Sequence, residues 1–138
     1  LITKPKMMKK TFLTLTVALS VCVTNLNAQN VTIPDANFKA YLVGNTAINT
    51  NSDTEIQVSE AAAFTGTIDC NNLSISSAIG IEYFTAVTQI KLQNNLLSTI
   101  DLSQNTSLTH LWLSNNTAIS TIDISNNTNL IQIYLKIL

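Results

Sequence analysis

The stretch Ile90 to Leu113, IKLQNNLLSTIDLSQNTSLTHLWL, decides the fold, because the residues after it repeat it and part of what precedes it is a degraded copy. Apolar residues and asparagines recur in one order: Ile90, Leu92, Asn95, Leu97, Ile100, Leu102, Asn105, Leu108, then Leu111, Leu113, Asn116, Ile119, Ile122, Ile124, Asn127, Leu130, then Ile133 and Leu135. Leu92 to Leu113 is a shift of 21 residues, and Ile100 to Ile122 one of 22. A period of this length with apolar residues at fixed phases predicts a solenoid, in which each repeat buries its apolar side against its neighbours.

Side chains alternate along a strand, so Ile90/Leu92, Leu111/Leu113 and Ile133/Leu135 pointing inward leave the residues between them outward on a concave sheet. Three outward columns follow: Thr67, Gln89, His110, Gln132; Asp69, Lys91, Trp112, Tyr134; and Asn71, Gln93, Ser114, Lys136. Neighbouring strands lie ~4.8 Å apart, which makes Trp112 and Tyr134 adjacent. The candidate binding residues are therefore Gln89, Lys91, His110, Trp112, Gln132, Tyr134 and Lys136. Cross-strand aromatics also stabilise a sheet with no partner at all, and a lone His110 also reads as a solvated member of its column.

Each coil must turn off its strand inside the stack, where water cannot reach the backbone. Asn95 and Asn116 on one turn, and Asn105 and Asn127 on the other, are placed to satisfy those groups with amide donors and acceptors. The opposite flank alternates in and out as Thr99-Ile-Asp101-Leu and Thr121-Ile-Asp123-Ile, which predicts an extended or 3-10 convex side. Asp101 and Asp123 read as a solvated acidic pair. The degraded first copy runs Ile68, Cys70, Ile75, Ile79, Ile81, Phe84, Val87, with Leu73 where later copies carry Asn95 and Asn116. Cys70 takes the inward phase of Leu92 and Leu113, as a small buried hydrophobe.

Before the repeats, Pro34 and Asp35 start a short helix with Phe38, Tyr41 and Leu42 on one face and Gly44 as its stop. A non-repeat element here covers the apolar cross-section that a solenoid end exposes. In NTNSDTEIQVSE, Asn49, Asn51, Asp53, Glu55, Gln57 and Glu60 fall at positions 1, 3, 5, 7, 9 and 12 of a calcium-loop template, with Ile56 as the apolar anchor and AAAF as the exiting helix. The segment resembles an EF-hand or dockerin-type loop, and Asn49, Asn51, Asp53, Glu55 and Glu60 are its candidate calcium ligands. Asn49 replaces the usual first aspartate and Thr54 the usual turn glycine; a plain polar loop between two short helices has the same composition.

The chain has 138 residues, 46% hydrophobic and 11% charged, with no arginine. From Gln29 onward three lysines face eight acids, 3 − 8 = −5, which argues against a phosphate-binding surface and hence against nucleic acid. Ahead of this, MMKK, the 12-residue run TFLTLTVALSVC and a polar stretch ending Leu26-Asn27-Ala28 read as a secretory signal peptide cut after Ala28. The run falls short of the ~20 apolar residues a membrane span needs. Leu19-Ser20-Val21-Cys22 loosely resembles a lipoprotein box, with valine a poor fit before the cysteine. Residues before Met7 or Met8 read as upstream translation. The expected organisation is a signal peptide over 1–28, a cap over 29–66 and repeats over 67–138, the last cut from a longer chain after LKIL. Only Cys70 survives such processing, so no intrachain disulfide is expected.

The segment LTHLWLSNN over Leu108 to Asn116 has the LxxLxLxxN form of the leucine-rich repeat. With IPDANFKAYLV, the Asn49 to Glu60 loop and FTGTIDC ahead of it, the arrangement from Gln29 onward is similar to secreted, internalin-like leucine-rich repeat proteins of Gram-negative bacteria. The resemblance implies an α/β solenoid with a curved parallel sheet and a short helical N-terminal cap. It also implies a module that is secreted or on the cell surface, a monomer or part of a longer chain, binding a protein or glycan on its concave face. One His, one Cys and no paired acids in a cleft from Gln29 onward give an enzyme no support. The other reading is structural: rows Ser98/Ser120, Thr99/Thr121 and Thr106/Thr128 present a hydroxyl lattice to a polysaccharide or to ice. Apart from calcium, no cofactor is expected.

Overall fold

A computed structural model describes residues 29–135; the proposed leader, Cys22 and Lys136 lie outside the described residues. Two short helices lead, α1 (Ala36–Gly44) and α2 (Val58–Ala63). Four three-residue strands follow: β1 (Thr67–Asp69), β2 (Gln89–Lys91), β3 (His110–Trp112) and β4 (Gln132–Tyr134), with a 3-10 turn at Ile81–Tyr83. The strands form one parallel sheet in chain order, and the register pairs Ile68, Ile90, Leu111 and Ile133 across it. The ladder continues past each strand through Cys70 N to Lys91 O, Leu92 N to Trp112 O and Leu113 N to Tyr134 O, at 2.8, 2.8 and 2.9 Å. This is the expected α/β solenoid, and the outer segments of the later coils carry no α-helix.

The asparagines act one coil backward. Asn95 Nδ2 donates to Cys70 O and Leu92 O at 2.7 and 2.9 Å, while its Oδ1 accepts from Leu73 N and Ile75 N at 3.1 and 3.0 Å. Asn116 repeats the pattern with Leu92 O, Leu113 O and Leu97 N. On the other turn, Asn105 Nδ2 reaches Ile81 O and Phe84 O, and Asn127 Nδ2 reaches Leu102 O and Asn105 O. All four side chains are buried. This explains the degraded first copy: the first coil has no earlier coil to serve, so Leu73 and Phe84 stand at the two asparagine phases. Phe84 is fully buried and meets Phe64 edge-on, ring centroids 6.3 Å apart.

The asparagine before each turn residue has a separate task. Asn72, Asn94 and Asn115 adopt φ of 57°, 57° and 61°, the left-handed conformation that asparagine tolerates better than other side-chain residues. The Asn-Asn pairs thus divide the labour, one residue bending the chain and the next satisfying the bend.

The cap closes the open end of the stack. Phe38, Leu42, Ile48, Ile56 and Ala61 are fully buried in one core with the first coil. Asp35 holds cap and coil together: Oδ1 accepts from Asn37 N and Phe38 N at the start of α1, and Oδ2 accepts from Ser76 N, Ser76 Oγ and Ser77 N of the first coil. Tyr41 Oη accepts from Asp69 N at 2.9 Å, so the outer edge of β1 is partnered by the helix.

One part of the inward pattern needs correction. Ile79 is 55% exposed and Ile124 38%, and Ile100 is half-buried. Between Ile75 and Ile81 the first coil has one residue more than later coils; Ala78 takes the inward place and turns Ile79 out. Ile124 lies in the final full coil of the described residues, where no further coil covers it.

Replacing Asn95 by leucine leaves four backbone groups of two coils without partners, at a cost of about 3 kcal/mol in urea unfolding. Asn105→Leu, which strands two carbonyls, is expected to cost about half as much. Asp35 is pushed up by burial, but hydrogen bonds from Phe38, Ser76 and Ser77 outweigh this and leave it below its ordinary value of 3.8. Its stabilisation is therefore complete above about pH 4 and lost as pH falls through the lower folded value. Asp35→Asn is expected to lower the melting temperature at pH 7, with a difference from wild type that shrinks on acidification below pH 4; a difference unchanged with pH would refute the latch.

Candidate functional site

The concave columns are set by the strand register. Thr67, Gln89, His110 and Gln132 align in one row, and Asp69, Lys91, Trp112 and Tyr134 in the next. Strand spacing then forces the large side chains of the second row into contact. The Trp112 and Tyr134 rings lie parallel within 12°, centroids 5.5 Å apart. His110, two residues before Trp112 on the same strand, stacks at 5.7 Å and 14°. From the other neighbouring strand, Lys91 Nζ sits over the Trp112 ring, 5.4 Å from its centroid.

Lys91 has a second role, an ion pair with Asp69 Oδ2 at 3.4 Å. Burial pushes the Asp69 carboxyl up, but the Asn71 amide, 2.7 Å from Oδ1, and the Lys91 charge outweigh it and hold Asp69 below the usual carboxylate value. The row is thus an unbroken chain, carboxylate to ammonium to indole to phenol. Trp112 lies between Lys91 of one strand and Tyr134 of the next and is half-buried. Tyr134 is 41% exposed, and its hydroxyl accepts a hydrogen bond from Gln132 Nε2. His110 is tied down as well, with Nδ1 2.8 Å from Thr109 Oγ1, which itself reaches Thr88 O. It is a packed member of the site and not a freely solvated one.

The structure brings together Gln89, Lys91, His110, Trp112, Gln132 and Tyr134, six of the seven concave residues anticipated. Asp69, Asn71 and Thr109, which orient them, were missed as site residues. Asp69 and Asn71 stand in the outward columns, so their position was readable; that Asp69 grips the lysine over the tryptophan was not.

The calcium-loop candidates are arranged differently. Asn49 is buried, and its Nδ2 donates to Val43 O and Asp53 O. Asp53 Oδ2 receives the amide groups of Asn51 and Gln57 at 2.9 and 2.8 Å, and Oδ1 accepts from Glu55 N at 2.7 Å. Glu60 Oε1 accepts from Thr50 N, Thr50 Oγ1 and Asn51 N, and Oε2 from Gln57 N. Glu55 turns out of the loop to Lys39, 2.6 Å away. In this arrangement the Asp53 and Glu60 carboxylates accept amide and backbone N–H groups, while the buried Asn49 Oδ1 has no hydrogen-bond partner among the described residues. Among the described residues no three Asp, Glu, His or Cys side chains gather in a metal-holding group. Cys70 is buried, which raises its thiol far above the ordinary range and keeps it unreactive.

No family model matches the chain. Internalin J of Listeria monocytogenes serotype 4b (strain F2365) is 36% identical over 73 residues, which are 53% of this chain and 8% of that protein. The chain therefore spans a small fraction of that relative's length. The functional domain of InlJ from Listeria monocytogenes, described as including a cysteine ladder, superposes with a TM-score of 0.62 at 30% identity, over 80% of this chain and 26% of that one. In this chain the inward column holding Cys70 continues with Leu92 and Leu113. The internalin InlF from strain 4b F2365 shares the fold, with a TM-score of 0.64 at 24% identity, over 80% of this chain and 33% of that one. Repeat, cap and sheet together give this chain a leucine-rich repeat solenoid similar to that of the internalins.

Proposed function

We propose that the chain is part of a secreted or surface-held recognition module whose concave face binds a polypeptide. The observation that carries this reading is the engaged Trp112 ring. A pyranose ring is held by laying its C–H face on a free aromatic face, and here Lys91, His110 and Tyr134 occupy the space around the indole. The result is a packed aromatic row ending in an exposed phenol, flanked by the amides of Gln89 and Gln132. Such a surface makes hydrogen bonds and edge contacts to peptide groups and side chains, and being packed it loses little entropy on binding.

The structural alternative rests on the exposed rows Ser98/Ser120, Thr99/Thr121 and Thr106/Thr128. These lie off the concave face, so the two readings separate by mutation. Peptides selected from a display library against the protein are expected to lose at least about tenfold in affinity with Trp112→Ala/Tyr134→Ala, the range for central aromatic anchors. Ser98→Ala/Ser120→Ala should leave them unchanged. Peptide binding that survives the aromatic double variant, or binding to insoluble glycan that follows the hydroxyl rows, would overturn the assignment.

For the Asn49 to Glu60 loop we propose a structural role, closing the cap through its own hydrogen bonds. Millimolar calcium is expected to leave the melting temperature unchanged and to produce no heat in calorimetry. A rise of several degrees would mean that the amide donors yield to the ion, and the five ligands Asn49, Asn51, Asp53, Glu55 and Glu60 would be reinstated.

A further inference from the structure

The first coil departs from the repeat on its outer flank. The step from Ile75 to Ile81 is six residues, against five from Leu97 to Leu102 and from Ile119 to Ile124. The extra length is absorbed by buried Ala78 and by Gly80, whose φ of 105° and closeness to the cap both require glycine; a Cβ there would come within 2.9 Å of Ile33 Cγ1. The flank consequently steps between the first and second coils. A cleft of about 330 Å³ opens at the step, with Ser76, Ile79 and Glu82 on the first coil's side and Thr99, Ile100 and Asp101 on the second's.

We propose that this cleft binds an alkylammonium group, a site separate from the concave face and independent of its reading. Two carboxylates line it, and the two lysines of the described residues are engaged elsewhere, Lys39 with Glu55 and Lys91 with Asp69. The cleft therefore carries negative charge with no counter-ion among the described residues. Ile79, 55% exposed, and half-buried Ile100 offer apolar surface to a short methylene stem. Serine and threonine hydroxyls supply further acceptors for an ammonium, which has three donors to place. Acceptors spread over two coils match a compact charge with rotatable donors better than the planar fork of a guanidinium. Glu82 and Asp101 are themselves held in place, Glu82 Oε2 by Gly80 N at 2.8 Å and Asp101 Oδ1 by Ser103 N at 2.9 Å.

The test is an NMR titration of the protein with Nα-acetyl-lysine methylamide, 1,5-diaminopentane and Nα-acetyl-norleucine methylamide. Backbone amides of residues 76–82 and 98–101 are expected to shift with the first two and about two- to fivefold more weakly with norleucine, the range for an exposed ion pair. Glu82→Gln/Asp101→Asn keeps both backbone turns capped and is expected to weaken lysine and diamine binding by a similar factor. Tighter binding of the lysine derivative than of the diamine identifies a polypeptide side chain as the source, and the reverse a small polyamine. No shifts in these segments up to about 10 mM ligand, or equal binding of norleucine, would overturn the proposal.

Discussion

The fold depends on one recurring interaction, a buried asparagine amide that reaches back to the preceding coil. A parallel solenoid must turn its backbone twice per coil inside its own stack, and each turn strands N–H and C=O groups away from water. Asn95 serves two groups on each end of its amide, and Asn105 and Asn127 serve the carbonyls of the opposite turn. Because each such residue acts on its predecessor, coils stack in a fixed order and register. The first coil, with nothing behind it, needs apolar residues and a cap instead, which is what Leu73, Phe84 and the helix bearing Asp35 provide.

That register creates the concave surface. Strands three residues long and held in line place outward residues in columns, so a tryptophan, a tyrosine and a lysine at one phase must meet. The same stacking packs His110, Trp112 and Tyr134 into one row with Lys91 over the indole. The negative charge from Gln29 onward is distributed to match: Lys91 on the concave face is neutralised by Asp69, while Glu82 and Asp101 on the outer flank have no such partner among the described residues.

Much of this was legible in the residue order. The period, most of the inward phases, the helix from Asp35 to Gly44, the asparagine roles and the first two columns are statements about spacing, and the structure bears them out. Ile79 misled because a one-residue insertion shifts phase locally, and a repeat read by period alone places it inward. In the Asn49 to Glu60 loop, spacing identifies the oxygens, but the Asn51 and Gln57 amides turned onto Asp53 are contacts that a spacing template does not describe.

By itself, the sequence determined a capped leucine-rich repeat solenoid and the side of it on which Trp112 and Tyr134 lie, since apolar periodicity is local information that stacking merely copies from coil to coil. Only the tertiary structure decided which faces of those rings are engaged, which loop oxygens are already satisfied, and where the flank opens into a cleft. Those features depend on neighbours from other coils and from the cap, and contacts between residues distant in sequence carry no signature in any single repeat.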